Sequence, residues 1–196
     1  MRRLALAAAM SLAALASAAP ANAFFQNIMI DPNTRQPMVF QQPTHQPAAR
    51  PAIPREVVAF AGAYEPGTVV VNTTERRLYF VMGNGQAIRY GIGVGRPGFD
   101  WRGTHTISRK AEWPDWRPPV QMLQRRPDLP RFMAGGPDNP LGARAMYLGS
   151  SLYRIHGSNE PHTIGQAVSS GCFRMLNDDV VDLYSRVRVG TRVVVL

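Results

Sequence analysis

The sequence predicts a mainly β domain, a sandwich or barrel, with one C-terminal helix and a long lid-like loop. Three observations predict it. Short runs of β-branched and aromatic residues recur from about residue 67, separated by Gly-rich turns. One amphipathic helical pattern lies near the end of the chain. Between these, residues 111–144 combine many prolines with large side chains. That is too much proline for a regular element and too much bulk for a disordered one, so the segment reads as an ordered lid or as a cover over a sheet edge.

The elements follow in order. Gly67–Val71 is a β-branched strand, and Asn72–Glu75 a polar turn. Arg77–Met82 and Ala87–Tyr90 flank Gly83-Asn84-Gly85, a hairpin signal. Thr104–Ser108 reads as a further strand. Ala145–Leu148 and Leu152–Ile155 flank a Gly-Ser-Ser turn, and Thr191–Leu196 is a terminal strand. Val180, Leu183, Tyr184 and Val187 recur at helical spacing, with Asn177 predicted as the N-cap. Asp178 and Asp179 sit at the positive end of the helix, and Arg186 and Arg188 at the negative end.

Upstream, the composition changes twice. Arg2 and Arg3, an Ala-rich apolar run from Leu4 to Ala19, and Ala21-Asn22-Ala23 form a secretory signal pattern over residues 1–23, cut after Ala23. Residues 24–55 hold six prolines and five glutamines and read as a flexible tether or plain spacer, leaving 56–196 as the folded domain. No later segment is long and apolar enough to span a membrane. The expected location is therefore the periplasm.

Hydrophobic residues make up 45% of the chain and charged residues 18%, enough apolar material for a core. The 22 basic and 13 acidic residues give +9, and Lys110 is the single lysine. On an exported chain such charge fits an anionic envelope polymer or a carboxylate-bearing substrate better than nucleic acid; a solvated Arg-rich surface is the plain alternative. One cysteine excludes a disulfide framework and any multi-cysteine metal site.

That cysteine carries the chemistry. Cys172 lies in Val168-Ser-Ser-Gly-Cys-Phe-Arg-Met175, sixteen residues after His156, itself in Ile155-His-Gly-Ser-Asn159. A thiolate is a strong nucleophile, and a neighbouring imidazole lowers the thiol pKa by forming an ion pair. Gly171 permits an unusual backbone, and amides at such a turn can face a developing oxyanion. An inert buried thiol and a structural histidine are the alternatives. His162 is a candidate to line the site or an exposed loop residue. His105 and His45 receive no role.

His156-Gly-Ser-Asn159 followed by Ser169-Ser-Gly-Cys-Phe-Arg-Met175 resembles the active-site signature of L,D-transpeptidase catalytic domains of the YkuD/ErfK type. Asn177–Tyr184, Val189–Val194, Trp113–Pro119 and Asn139–Gly142 are similar to further family segments, so the resemblance spans roughly Gly67 to Leu196. It implies that the fold is L,D-transpeptidase-like. It further implies Cys172 as nucleophile, His156 as base and the Gly157 carbonyl as the partner fixing the imidazole. Ser169 would support the site by hydrogen bonding, with Ser170 and Gly171 beside it. Arg174 would hold a substrate carboxylate or brace the loop. Tyr147, Trp116 and Arg144 are candidates to line the groove. Many members carry a second His where this chain has Ser170.

The implied reaction is acyl transfer from the third residue of a peptidoglycan tetrapeptide stem, through a thioester on Cys172. The acceptor is an amine of another stem peptide, an envelope protein, or water, with residues 111–144 as the lid. No cofactor or metal is implied. A papain-like peptidase fits the strand-rich pattern and the order His before Cys poorly. A non-catalytic wall-binding protein would explain export and charge. A metal hydrolase lacks a recognised ligand spacing.

Overall fold

In the computed structural model, residues 53–196 are described; the signal pattern and the tether up to residue 52 lie outside them. In chain order the strands are β1 (Glu56–Ala59), β2 (Val69–Asn72), β3 (Arg77–Gly83), β4 (Gln86–Gly91), β5 (Val94–Gly95), β6 (Gly103–Glu112), β7 (Arg144–Leu148), β8 (Arg154–His156), β9 (Ala167–Ser169), β10 (Phe173–Arg174) and β11 (Arg192–Val195). Two α-helices join them, α1 (Val120–Arg125) and α2 (Asn177–Arg186), with a short 3-10 turn at Pro161–Thr163. The architecture is mainly β. None of these helices is long and apolar enough to cross a membrane.

Nine strands form one sheet in the order β1-β4-β3-β2-β11-β6-β7-β8-β10, and β5 pairs with β9 in a second. Val69, Val71, Leu78, Ile88 and Tyr90 from one half of the sheet share a core with Ile107, Met146, Leu148, Ile155 and Phe173 from the other. Val193 and Val195 of β11 lie between the two halves, and Val180, Leu183 and Val187 of the α2 region close the core. The β3–β4 hairpin turns through Asn84 at φ 51° and Gly85 at φ 69°. Two consecutive positive φ values match the right-handed strand twist, which is why an Asn-Gly pair stands there.

Helix α2 forms where expected, but Asn177 is its first helical residue and Leu176 its cap, without a side-chain cap bond. The N-cap expectation is corrected: the Asn177 side chain has been recruited elsewhere, as described below. The other end is closed by the single lysine. Lys110 Nζ donates to the Tyr184 and Val187 carbonyls, both at 2.7 Å, satisfying orphan acceptors of the last turn while neutralising its negative dipole. Arg55 reaches the acidic start of α2, at 3.7 Å from Asp179 and 3.5 Å from Asp182, and Ile53 lies against Gly91 and Gly165. Residues 53–55 are thus in contact with the domain that the sequence reading began at residue 56.

The proline-rich excursion runs through 113–143 and is not wholly irregular. Pro119 sits at the cap of α1 rather than inside it, where a missing N–H costs nothing. Trp116 and Met133 exchange backbone hydrogen bonds at 2.8 and 2.9 Å, pinching the excursion across its width. Buried Asn139 acts as the hub. Its amide donates to the Pro114 and Ala134 carbonyls at 3.1 and 2.9 Å, and its Oδ1 accepts from Leu141 N at 2.9 Å. A single side chain here satisfies backbone groups that would otherwise need a sheet ladder.

Candidate active site

The site is built by strand alternation. In the parallel β8–β10 pair, Ile155 lies opposite Phe173, and both are buried in the core. Side chains alternate faces along a strand, so their neighbours Arg154, His156, Cys172 and Arg174 project from the other face. All four line one cleft of about 1090 Å³. The 113–143 excursion forms its far wall through Trp116, Met122, Arg125, Leu129, Met133 and Leu141.

His156 is buried, and its Nδ1 lies 2.6 Å from the Gly157 carbonyl oxygen. A carbonyl only accepts, so Nδ1 carries the proton and Nε2 is left as the basic nitrogen. Burial pushes His156 down to about 3; the Gly157 carbonyl pulls it up, and the charges of Arg154 and Arg174 depress it further. Burial also pushes the Cys172 thiol above its ordinary value, against the opposing pull of Arg154 and Arg174. Together these shifts make the resting pair a neutral thiol and a neutral imidazole. Both directions run opposite to the expected ion pair, because desolvation disfavours either charge at rest.

The loop before Cys172 is braced from inside. Ser169 Oγ donates to the Cys172 carbonyl at 2.6 Å and accepts from Gly171 N at 3.1 Å. Ser170 Oγ accepts from Arg96 Nη1 at 3.3 Å. Gly171 has φ 103°, and a Cβ there would lie 2.5 Å from Tyr153 Cε1, so the position admits no side chain. Arg174 Nη1 donates to Glu160 Oε2 at 2.7 Å and to Thr163 Oγ1 at 3.3 Å. These contacts tie Arg174 to the 160–163 turn, while the residue also lines the cleft.

Two groove candidates are not brought to the cleft. Tyr147 lies one strand further out, opposite Arg154 in register, with the guanidiniums of Arg109 and Arg154 over its ring at 3.6 and 5.4 Å. Arg144 pairs with Glu112 at 3.0 Å and lies over the Tyr184 ring. Trp116 does line the cleft. His162 is exposed and is not among the cleft residues. Arg154 was missed; its signal was its position two residues before His156 on a strand.

Asn177 was misread rather than missed. Its Oδ1 accepts from Ala143 N at 2.9 Å and Ser158 N at 3.3 Å, in a notch left by Gly142 and Gly157. It ties α2 to the turn whose carbonyl orients His156. Asn177→Ala strands two amides and is expected to cost about 2 kcal/mol in chemical denaturation, whereas Asn177→Asp, which keeps the acceptor, should recover part of that loss.

The L,D-transpeptidase catalytic domain (YkuD) family model matches residues 66–195. The chain belongs to this family. Among curated L,D-transpeptidases, the probable L,D-transpeptidase ErfK/SrfK of Escherichia coli K12 is 40% identical over 137 residues, covering 65% of this chain and 43% of that protein. The putative L,D-transpeptidase YqjB of Bacillus subtilis is 34% identical over 133 residues, covering 65% of this chain and 69% of that protein. The chain thus spans less than half the length of ErfK/SrfK. An L,D-transpeptidase structure from Mycobacterium smegmatis shares the fold, with TM-score 0.54 at 18% identity over 66% of this chain and 58% of that one. A Brucella melitensis structure, named a probable carnitine operon oxidoreductase, is 49% identical with TM-score 0.51, covering 74% of this chain and 95% of that one.

Proposed function

We propose that the protein is an exported, periplasmic peptidoglycan L,D-transpeptidase working through a cysteine thioester. Cys172 attacks the carbonyl of the third, diamino-acid residue of a tetrapeptide stem. The thiol proton passes to His156 Nε2 as the C–S bond forms, and the carbonyl oxygen becomes an oxyanion. The C–N bond to D-Ala then breaks, and His156 returns the proton to the departing amine. An acceptor amine attacks the thioester, gives its proton to His156, and displaces the sulfur, which is reprotonated. The Gly157 carbonyl stabilises the imidazolium formed in each half-reaction.

The observation that carries this reading is that Cys172 and His156 line one cleft, beside the paired strands β8 and β10. The cleft is open enough for a peptide, and the 113–143 wall suits a site that admits an amine while limiting water. The acceptor is an amine of a second stem peptide, giving a 3→3 cross-link, or of an envelope protein. Hydrolysis by water, as in a carboxypeptidase or another cysteine peptidase, and wall binding without catalysis are the competing readings.

The test is incubation of purified peptidoglycan with the protein, followed by mass analysis of the muropeptides. Dimers joined through two diamino acids are the expected product. Tripeptides alone would convert the reading to a hydrolase. Unchanged muropeptides, from protein shown to be folded, would sink it.

A further inference from the structure

The residue that supports the Cys172 loop from behind is Trp101, to which the sequence reading gave no role. Its indole Nε1 donates to the Gly171 carbonyl at 2.7 Å. Its ring stacks on Tyr153 at 4.5 Å and 10°, and packs against Phe173 at 5.4 Å. Tyr153 is the side chain that forbids a Cβ at Gly171, and Phe173 follows Cys172. One indole therefore touches what lies before, beneath and after the sulfur.

The hydrogen bond fixes a direction. Trp101 and Gly171 line a second, smaller cleft that also contains Phe173, whereas Cys172 and Ser170 line the large one. The Gly171–Cys172 peptide is planar and trans, so its C=O and N–H point opposite ways. With the carbonyl held by Trp101 in the small cleft, the Cys172 N–H faces the large one. Among the described residues it donates to no protein acceptor. An amide of the nucleophile itself, aimed into the cleft that holds its side chain, is where an acyl oxyanion develops.

We propose that Trp101 is a positioning residue that aims the Cys172 amide at the oxyanion by locking the Gly171 carbonyl. The inference rests on the acyl-transfer reading above. It concerns only the step in which carbonyl electrons move onto oxygen as the C–S bond forms. Without the indole N–H the peptide plane is free to rock, and the donor is no longer held in place at the moment charge appears.

Two thiol reactions separate this role from simple support. Acylation by imipenem, a carbapenem, passes through a tetrahedral oxyanion; alkylation by iodoacetamide displaces iodide and forms none. Both rates are read at Cys172 by intact-mass spectrometry, in the wild type and in Trp101→Phe, which keeps a ring against Tyr153 but has no N–H. A variant with benzothienylalanine in place of Trp101 exchanges the N–H for sulfur at nearly constant shape and serves if the phenylalanine variant folds poorly. Acylation is expected to fall about 10-fold or more, with alkylation changed less than about twofold. Equal losses in both reactions would overturn the proposal, because they would mean that Trp101 only holds the sulfur in place. Unchanged acylation would overturn it too. A wild-type protein that alkylates yet never acylates would overturn the acyl-transfer reading itself, and this inference with it.

Discussion

Cys172→Ala is expected to abolish the proposed acyl transfer while leaving the protein folded. The expected loss is at least about 10⁴-fold, because the nucleophile forms the covalent intermediate and no other thiol exists in the chain. Stability should change by less than about 1 kcal/mol. The side chain lines the cleft wall, and its polar contacts are with backbone groups alone, the Leu152 carbonyl at 3.9 Å and the backbone of Arg154. Intact mass after imipenem treatment should show an adduct on the wild type and none on the variant, with coincident thermal melts. A variant that still remodels peptidoglycan would favour non-catalytic wall binding.

His156→Gln should reduce acylation by about 10³-fold or more, the upper range for a positioned base. The physical reason is the dry site. Burial holds the thiol above its ordinary pKa, so without a base little thiolate exists at neutral pH. The wild type carries a second signature. An imidazole pushed down to about 3 stays neutral, and competent as a base, throughout mildly acid conditions. An imidazole at its ordinary value near 6.5 would be mostly protonated at pH 5, costing about 30-fold in base concentration. Acylation measured from pH 8 down to pH 5 should therefore show no inflection near 6.5. Such an inflection would mean that the imidazole is solvated rather than buried. Stability should follow the same sign. The unfolded chain takes up the His156 proton below about 6.5 and the folded chain does not, so the His156 contribution to stability falls as pH drops from there toward 3, which the loss of that slope in His156→Gln would show.

The elements that could be read in advance are those whose pattern is local. Val69–Val71 and Val193–Val195 announce strands by β-branching alone, and Val180, Leu183 and Val187 announce one helix by spacing. The candidate site was legible where a residue type is itself informative: a lone Cys after Gly, and a His before Gly. What stayed hidden depends on register. Alternation puts Arg154 on the His156 face of its strand, but that this face shares a cleft with Cys172 depends on the pairing of β8 with β10. Tyr147 reads as a groove residue until its strand is known to lie one place further out. Helix α1 was masked by the prolines around it, although Pro119 caps it instead of breaking it. Asn177 has the composition of a cap, and only the fold shows its oxygen serving two distant amides. Trp101 gives no signal at all, since its role is one hydrogen bond across 70 positions of chain.

The seam at the middle of the large sheet has a consequence for how the chain comes into being. Strand β11 runs parallel to β2 and antiparallel to β6, so within the large sheet residues 192–195 join the two halves, while Gly93 and Arg174 pair across them elsewhere. A ribosome has made both flanking strands long before it makes the one that joins them. Of the two pairings of β11, the one with β2 closes over more than a hundred residues and the one with β6 over fewer. The large sheet is therefore complete only once the last residues of the chain are in place.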